Sequence, residues 1–282
     1  MSLQFSPISQ AVEASHGGNF SVFRLDLERL GGFIAPIMGF DHYRMSGPTF
    51  APHPHAGFSA VSYVFENSAG ALRNRDSLGH DLTVQPGELL WTQAGRGVIH
   101  DEFPASNGAA VHGLQLFVNL SSKNKHLAPQ VFHADADAIP VSEEAAGNRI
   151  RILTGQRGEL RSPITPTEPF DFFDARLNGS WVYPVKSHQN VMVYVLSGAV
   201  TISIGDGERS LGEHEAVGIR ADVSAGDLRI EPKDSAHLLL LSGQDSREPV
   251  AVGGPFIMNT HDELADAYER YRIGQMGRLA PA

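Results

Sequence analysis

Two short stretches carry side chains that could do chemistry together. In Pro52-His53-Pro54-His55-Ala56-Gly57-Phe58 the histidines are two apart. Pro54 excludes a helix and pushes His53 into the extended region. Residues i and i+2 of a strand share a face, so both imidazoles leave on one side. In Gly95-Arg96-Gly97-Val98-Ile99-His100-Asp101-Glu102 the same spacing recurs in His100 and Glu102, after a Gly-rich turn, with Asp101 directed to the opposite face. If the two strands face each other in a barrel, His53, His55, His100 and Glu102 converge on one point. That set suits a borderline divalent ion such as iron, nickel, copper, manganese or zinc, and leaves coordination positions open for substrate or oxygen. Taken singly, either pair equally fits side chains on a surface turn. Together, each flanked by glycine or proline, they favour a metal site.

The elements that must position these residues are strands. Runs such as Val61-Ser62-Tyr63-Val64-Phe65, Gly113-Leu114-Gln115-Leu116-Phe117-Val118, Val191-Met192-Val193-Tyr194-Val195-Leu196 and Val200-Thr201-Ile202-Ser203-Ile204 are short, rich in β-branched and aromatic residues, and separated by Gly and Pro turns. That pattern predicts an all-β chain of sandwich or barrel type. Helical signals appear near the C-terminus, where Thr260-His261-Asp262-Glu263 has capping-box form and Leu264, Ala267, Tyr268 and Tyr271 follow at helical spacing. The run Ser62-Tyr63-Val64-Phe65 is echoed by Val193-Tyr194-Val195-Leu196, each strand entering a Gly-containing turn. Residues 121–148 are polar and Ala-rich and read as a linker. Two similar β-domains are expected, about 1–130 with the metal site and 145–282 with the terminal helix.

Composition narrows the chemistry. The 282 residues contain no cysteine, which excludes a disulfide scaffold, thiolate-bound zinc, iron–sulfur clusters and thiol catalysis; His and carboxylate must hold any metal, and there are 13 His. Net charge of −10 disfavours nucleic acid and anionic membranes as partners. No basic-then-apolar leader and no run of roughly 18 apolar residues is seen, so a cytoplasmic protein is expected.

Beyond spacing, several long motifs resemble the pirin family, a branch of the bicupins. They are the Pro52–Phe58 segment, Arg75-Asp76-Ser77-Leu78-Gly79, Pro86-Gly87-Glu88-Leu89-Leu90-Trp91, the segment from Ala94 to Glu102, His112-Gly113-Leu114-Gln115-Leu116-Phe117-Val118-Asn119-Leu120, Arg247-Glu248-Pro249-Val250 and Gly254-Pro255-Phe256-Ile257-Met258-Asn259-Thr260. The resemblance covers nearly the whole chain. It implies two tandem cupin (double-stranded β-helix) barrels with one metal, Fe(II) before Zn, Ni, Cu or Mn, in the N-terminal barrel only. The ligands carried over by position are His53, His55, His100 and Glu102. His188 and His237 lack such partners and are expected to be ordinary barrel or surface histidines in a degenerate second cupin. Asn74 departs from relatives that carry a charged or imidazole-bearing residue there, which bears on substrate shape. The stretch Asp41-His42-Tyr43-Arg44-Met45 is also less typical; His42 either reaches the metal pocket or bonds backbone in a loop.

Around the ligands, Gln115 either orients a ligand or bound water or is a barrel-lining amide satisfied by backbone. Phe58, Trp91 and Phe117 either wall an aromatic substrate or fill the core. The resemblance implies an oxidoreductase of quercetin 2,3-dioxygenase type that opens a flavonol-like substrate with O2, with Glu102 as ligand or general base. The alternative is an iron-binding, redox-sensitive regulatory protein without turnover, its acidic surface meeting a basic protein partner.

Overall fold

Alternation along each strand decides what the barrels enclose. The computed structural model describes residues 3–223 and 225–282, and the chain is mostly β, with two cupin domains and one short C-terminal helix. The strands that build the first barrel are β1 (Val12–His16), β2 (Phe20–Arg24), β3 (Ile37–Met45), β4 (His53–His55), β5 (Phe58–Val64), β6 (Leu72–Asp76), β7 (Asp81–Val84), β8 (Leu89–Gln93), β9 (Val98–Pro104), β10 (Val111–Asn119) and β11 (Gln130–Ala134). They form a seven-stranded sheet, order β11-β8-β5-β10-β3-β2-β1, and a four-stranded sheet, order β4-β9-β6-β7. Every residue of β5 is buried, as its apolar sequence anticipates.

The barrel interior is layered. Val64, Val111, Tyr43, Met45 and Leu90 join one apolar cluster with Phe20, Val22, Leu72 and Val84. Phe58, Ala60 and Ile257 form another, with Met38 and Phe117 against it. Each such large side chain contributes roughly 1.5–3 kcal/mol. Along β5, Ser62 falls between Ala60 and Val64; along β10, Gln115 falls between Phe117 and Val111. A polar layer is therefore inserted between apolar ones, and it is here that the candidate chemistry lies.

The C-terminal residues Ser246–Ala282 complete this same unit, together with Glu13–Arg24 and Ile37–Ala136. The hairpin Ala251–Gly253/Phe256–Met258 places Phe256 in a bridge with Ala56, directly after His55. Helix α1 (His261–Arg272) follows with the expected capping box: Glu263 N–H donates to Thr260 Oγ1 at 3.2 Å, and Glu263 Oε2 accepts from Thr260 N–H at 3.0 Å. Leu264 and Ala267 of this helix cluster with Ala56, Ile99 and Met276. Lys125, fully buried, donates all three of its N–H groups, to the carbonyls of Gly57 (2.7 Å) and Ile257 (2.8 Å) and to Asn119 Oδ1 (2.5 Å). Gly57 has φ +86°, and a Cβ there would lie 1.9 Å from the Ile257 oxygen, so only glycine allows the hairpin this close to the His53–His55 strand.

The other unit comprises the described residues of Met1–Val12, with Leu25–Pro36 and Asp137–Asp245. Its ten-stranded sheet centres on Gln189–Ile204 and Gly226–Gln244, which pair along most of their length. N-terminal Gln4–Phe5 and Ser9–Gln10 pair with Glu215–Arg220 of this sheet. A single cut between 1–130 and 145–282 thus does not reproduce the two units: short segments from both ends are recruited by pairing and packing partners far away in sequence, and the terminal helix belongs to the first barrel. Among the described residues no helix is long and apolar enough to cross a membrane.

Candidate metal centre

Antiparallel pairing of β4 with β9 sets His53 opposite His100 and His55 opposite Val98. Ring centroids are 4.7 Å apart for His53 and His100, and 4.8 Å for both His53–His55 and His55–His100. One ring nitrogen of each lies within 4.8 Å of those of the other two. Glu102, two residues beyond His100, lines the same cavity, and its Oε1 accepts from the Ser62 hydroxyl at 2.5 Å. Asp101 turns to the other face, where Arg75 engages both of its carboxylate oxygens.

The three imidazoles are in the protonation state a cation needs. Burial lowers all three histidines: His55 to about 3, His100 well below its ordinary value with His55 and His53 adding repulsion, and His53 despite an opposing hydrogen bond to Ala51. All are neutral imidazoles at neutral pH, with a lone pair to offer. Burial raises Glu102 to about 7, against the lowering effect of Ser62. Tautomers are also set. Nδ1 of His53 is 2.9 Å from the Ala51 carbonyl, which takes its hydrogen, and Nδ1 of His100 is 3.2 Å from Asn74 Oδ1, which leaves Nε2 of each for the cluster. Three neutral nitrogens beside a carboxyl that burial keeps partly protonated until a cation displaces the proton fit a divalent ion.

The surroundings are an open cavity of about 640 Å³, including space continuous with solvent. Its interior space is about 170 Å³, smaller than the roughly 300–1,000 Å³ of typical small-molecule pockets. Phe20, Tyr43, Phe50 and Phe117 supply aromatic walls. Phe50, half exposed, packs edge-on to Phe20 at 5.2 Å and faces His53 at 6.4 Å. Gly39 lets the Phe117 ring in: a Cβ there would sit 2.4 Å from it. Asp41 and Gln115 add polar groups; burial raises the Asp41 carboxyl, with Arg24 and His16 acting the other way.

Several side chains stand elsewhere than the sequence suggests. Trp91 is buried opposite Val61 in β5, on the sheet face away from Ser62, and is absent from the cavity wall; it fills core because the cavity-side Ser62 pairs with its neighbour Leu90 instead. Phe58 does not line the cavity either. Its ring backs His55 at 5.0 Å and Phe117 at 4.8 Å. His42 does not reach the metal pocket: its Nε2 is 2.8 Å from Nε2 of His112 and the two rings stack. Alternation in Asp41-His42-Tyr43 is the signal that separates it from the two cavity residues beside it. Asn74, read from sequence as bearing on substrate shape, is the partner of His100. Asp76 caps its own turn, accepting from Leu78 N–H (2.8 Å) and His80 N–H (3.1 Å).

A second group, Glu88, His133 and Asp135, has a closed account: Glu88 Oε2 already accepts from Gln85 N–H and His133. The second barrel offers nothing comparable among the described residues. Its centre is an apolar cluster including Val193, Val195, Ile202, Trp181 and Leu240. His237 there bonds Asp174 at 2.5 Å, and His188 sits in a turn with φ 64°.

The Pirin family signature matches residues 28–118, and that of the Pirin C-terminal cupin domain matches 173–277. Human pirin is 33% identical over 263 residues, covering 91% of this chain and 87% of its own. A putative quercetin 2,3-dioxygenase of Pseudomonas aeruginosa is 32% identical over 256 residues, covering 85% and 86%. Among solved structures, quercetin 2,3-dioxygenase from Acinetobacter baumannii superimposes with a TM-score of 0.84 over 99% of both chains at 25% identity.

Proposed function

Because this chain belongs to the pirin family, we propose that it is a metal-dependent dioxygenase of quercetinase type, with Fe(II) held by His53, His55, His100 and Glu102 and a flavonol-like aromatic substrate opened by O2. The observation that carries this reading is the convergence of three neutral imidazoles in a cavity that is walled by aromatic rings and also lined by the buried Glu102, which lies outside that group of three. The dioxygenase names of two relatives support it.

A bound divalent ion supplies Lewis acidity that acidifies a coordinated hydroxyl and leaves a position open for a second ligand. The protein's residues do the rest. Phe50, Phe20 and Tyr43 stack against a planar ring system and exclude water from it. Glu102 would either stay on the ion or swing off it to take the substrate's hydroxyl proton on its carboxylate, to which the Ser62 hydroxyl donates at 2.5 Å. Asn74 and the Ala51 carbonyl keep the imidazoles turned towards the centre.

The test is to load the protein with iron without oxygen, add quercetin and then air, and follow flavonol absorbance and oxygen uptake. Loss of both at matched rates is expected, abolished by His53→Ala or Glu102→Ala in protein that remains folded. Absence of turnover with several flavonols and several metals overturns the enzymatic reading in favour of a metal-bearing protein that binds a partner. Full activity in either variant overturns the ligand set.

A further inference from the structure

The cavity contains two polar side chains, Asp41 and Gln115, that the metal cluster leaves unused. Asp41 of β3 is directly opposite Gln115 of β10, which is directly opposite Ser62 of β5. The three side chains therefore line up across neighbouring strands on the barrel-facing side, with adjacent Cβ atoms about 4.5–5.5 Å apart. The Ser62 hydroxyl lies against Glu102 Oε1 at 2.5 Å and against Gln115 Oε1 at 3.1 Å. The single Ser62 hydrogen serves one of these two oxygens at a time, and the NH2 group is the donor end of the Gln115 amide. Asp41 offers the complementary function, acceptor oxygens. Its side chain is 38% exposed, and the Arg24 guanidinium stands 3.8 Å off, beyond hydrogen-bond length.

Charge sharpens the point. Asp41 and Glu102 line the cavity, and no lysine or arginine does. A carboxylated or sulfated ligand would meet the Asp41 carboxylate, with the Arg24 guanidinium beside Asp41 but outside the cavity lining, whereas a neutral phenol can donate to it.

We propose that Asp41 and Gln115 form a substrate-reading pair for uncharged aromatic ligands with vicinal hydroxyls on a ring remote from the metal-facing oxygens. Asp41 accepts from one hydroxyl and Gln115 donates to its neighbour. The pair selects polyhydroxylated over bare rings and rejects anionic analogues. This rests on the flavonol-site reading above and deepens it by assigning specificity.

The experiment uses zinc-loaded protein, which holds the site without oxygen chemistry, and calorimetric binding of quercetin, 3-hydroxyflavone and a ring-sulfated quercetin. The first two share the hydroxyl-carbonyl edge and differ in peripheral hydroxyls. Wild type is expected to prefer quercetin. Asp41→Ala should weaken quercetin about 10–100-fold, the range for a hydrogen bond to a charged group, and leave 3-hydroxyflavone within about threefold, which also reports an intact cavity. Asp41→Asn should improve the sulfated ligand relative to quercetin. Equal effects on the two unsulfated flavonols, or none on either, overturn the pair. Failure of both flavonols to bind wild type overturns it together with the flavonol reading. Retained quercetin selectivity, sensitive to Asp41, in a protein whose iron form consumes no oxygen sinks the reaction and leaves the pair standing.

Discussion

The two barrels place opposite contents inside the same kind of strand frame. In the first, Ser62 faces inward and donates to a buried Glu102. In the second, the residue that echoes it, Val193, is fully buried in an apolar cluster with Val195 and Ile202. The neighbouring Tyr63 and Tyr194 match, so strand and turn are kept while the inward row changes character. An all-apolar interior gains stability from every position. A polar layer forgoes that gain, and must be satisfied by partners or by a ligand to be tolerated. The first barrel accepts this cost at the level of Ser62, Gln115, Glu102 and the histidines, and keeps apolar clusters along the strands on either side.

The largest way to break this contrast is to carry the first barrel's chemistry into the second. Val193→Glu buries a carboxylate with no partner in an apolar cluster and should destabilise the protein by on the order of 4–5 kcal/mol. Denaturant unfolding reads the loss; a shift below about 1 kcal/mol would mean that the second interior is far more adaptable than its packing implies.

Next comes the converse change, Glu102→Gln in metal-free protein. The carboxyl is raised from 4.5 to about 7 by burial, so its charged form opposes folding. Below pH 4.5 it is neutral whether folded or unfolded and adds no penalty. As pH rises through 7 the penalty grows to about 3 kcal/mol, at 1.36 kcal/mol per unit. The glutamine variant should therefore unfold at the same urea concentration as wild type near pH 4.5 and be the more stable of the two above pH 7. Parallel curves would contradict a buried, reluctant carboxylate. In wild type, metal uptake at pH 7 should release about half a proton from this group, seen by calorimetry in buffers of different ionisation enthalpy and missing in the variant.

A smaller effect tests whether the cluster depends on its supports. Asn74→Leu removes the acceptor for His100 Nδ1 and should weaken metal binding about 10–100-fold in chelator competition, with the fold retained. Unchanged affinity would show that strand packing alone orients the ring.

Much of this centre was legible because it rests on local geometry. Pro54 enforces extension, spacing of two puts His53 with His55 and His100 with Glu102, and Thr260 with Glu263 announces the helix. None of these needs a distant partner. Asn74, Tyr43 and Asp41 were not legible as cavity or ligand-supporting residues, because each acts through a neighbour more than twenty residues away in sequence. Trp91 shows the same limit from the other side. Its strand was evident, but which of its faces looks inward depends on pairing with β5, and a shift of one residue exchanges the faces.

The sequence by itself determined the strand-rich class, the absence of thiol chemistry, the His53/His55 and His100/Glu102 spacings and the lack of any such pair around His188 and His237. Tertiary structure decided which strands meet and in what register, that the C-terminal hairpin and helix complete the first barrel through Lys125 and Gly57, and which polar side chains share the cavity. Periodicity acts within a strand and is written in neighbouring residues. Register between strands is a property of the closed barrel, where burial and hydrogen-bond satisfaction are resolved together.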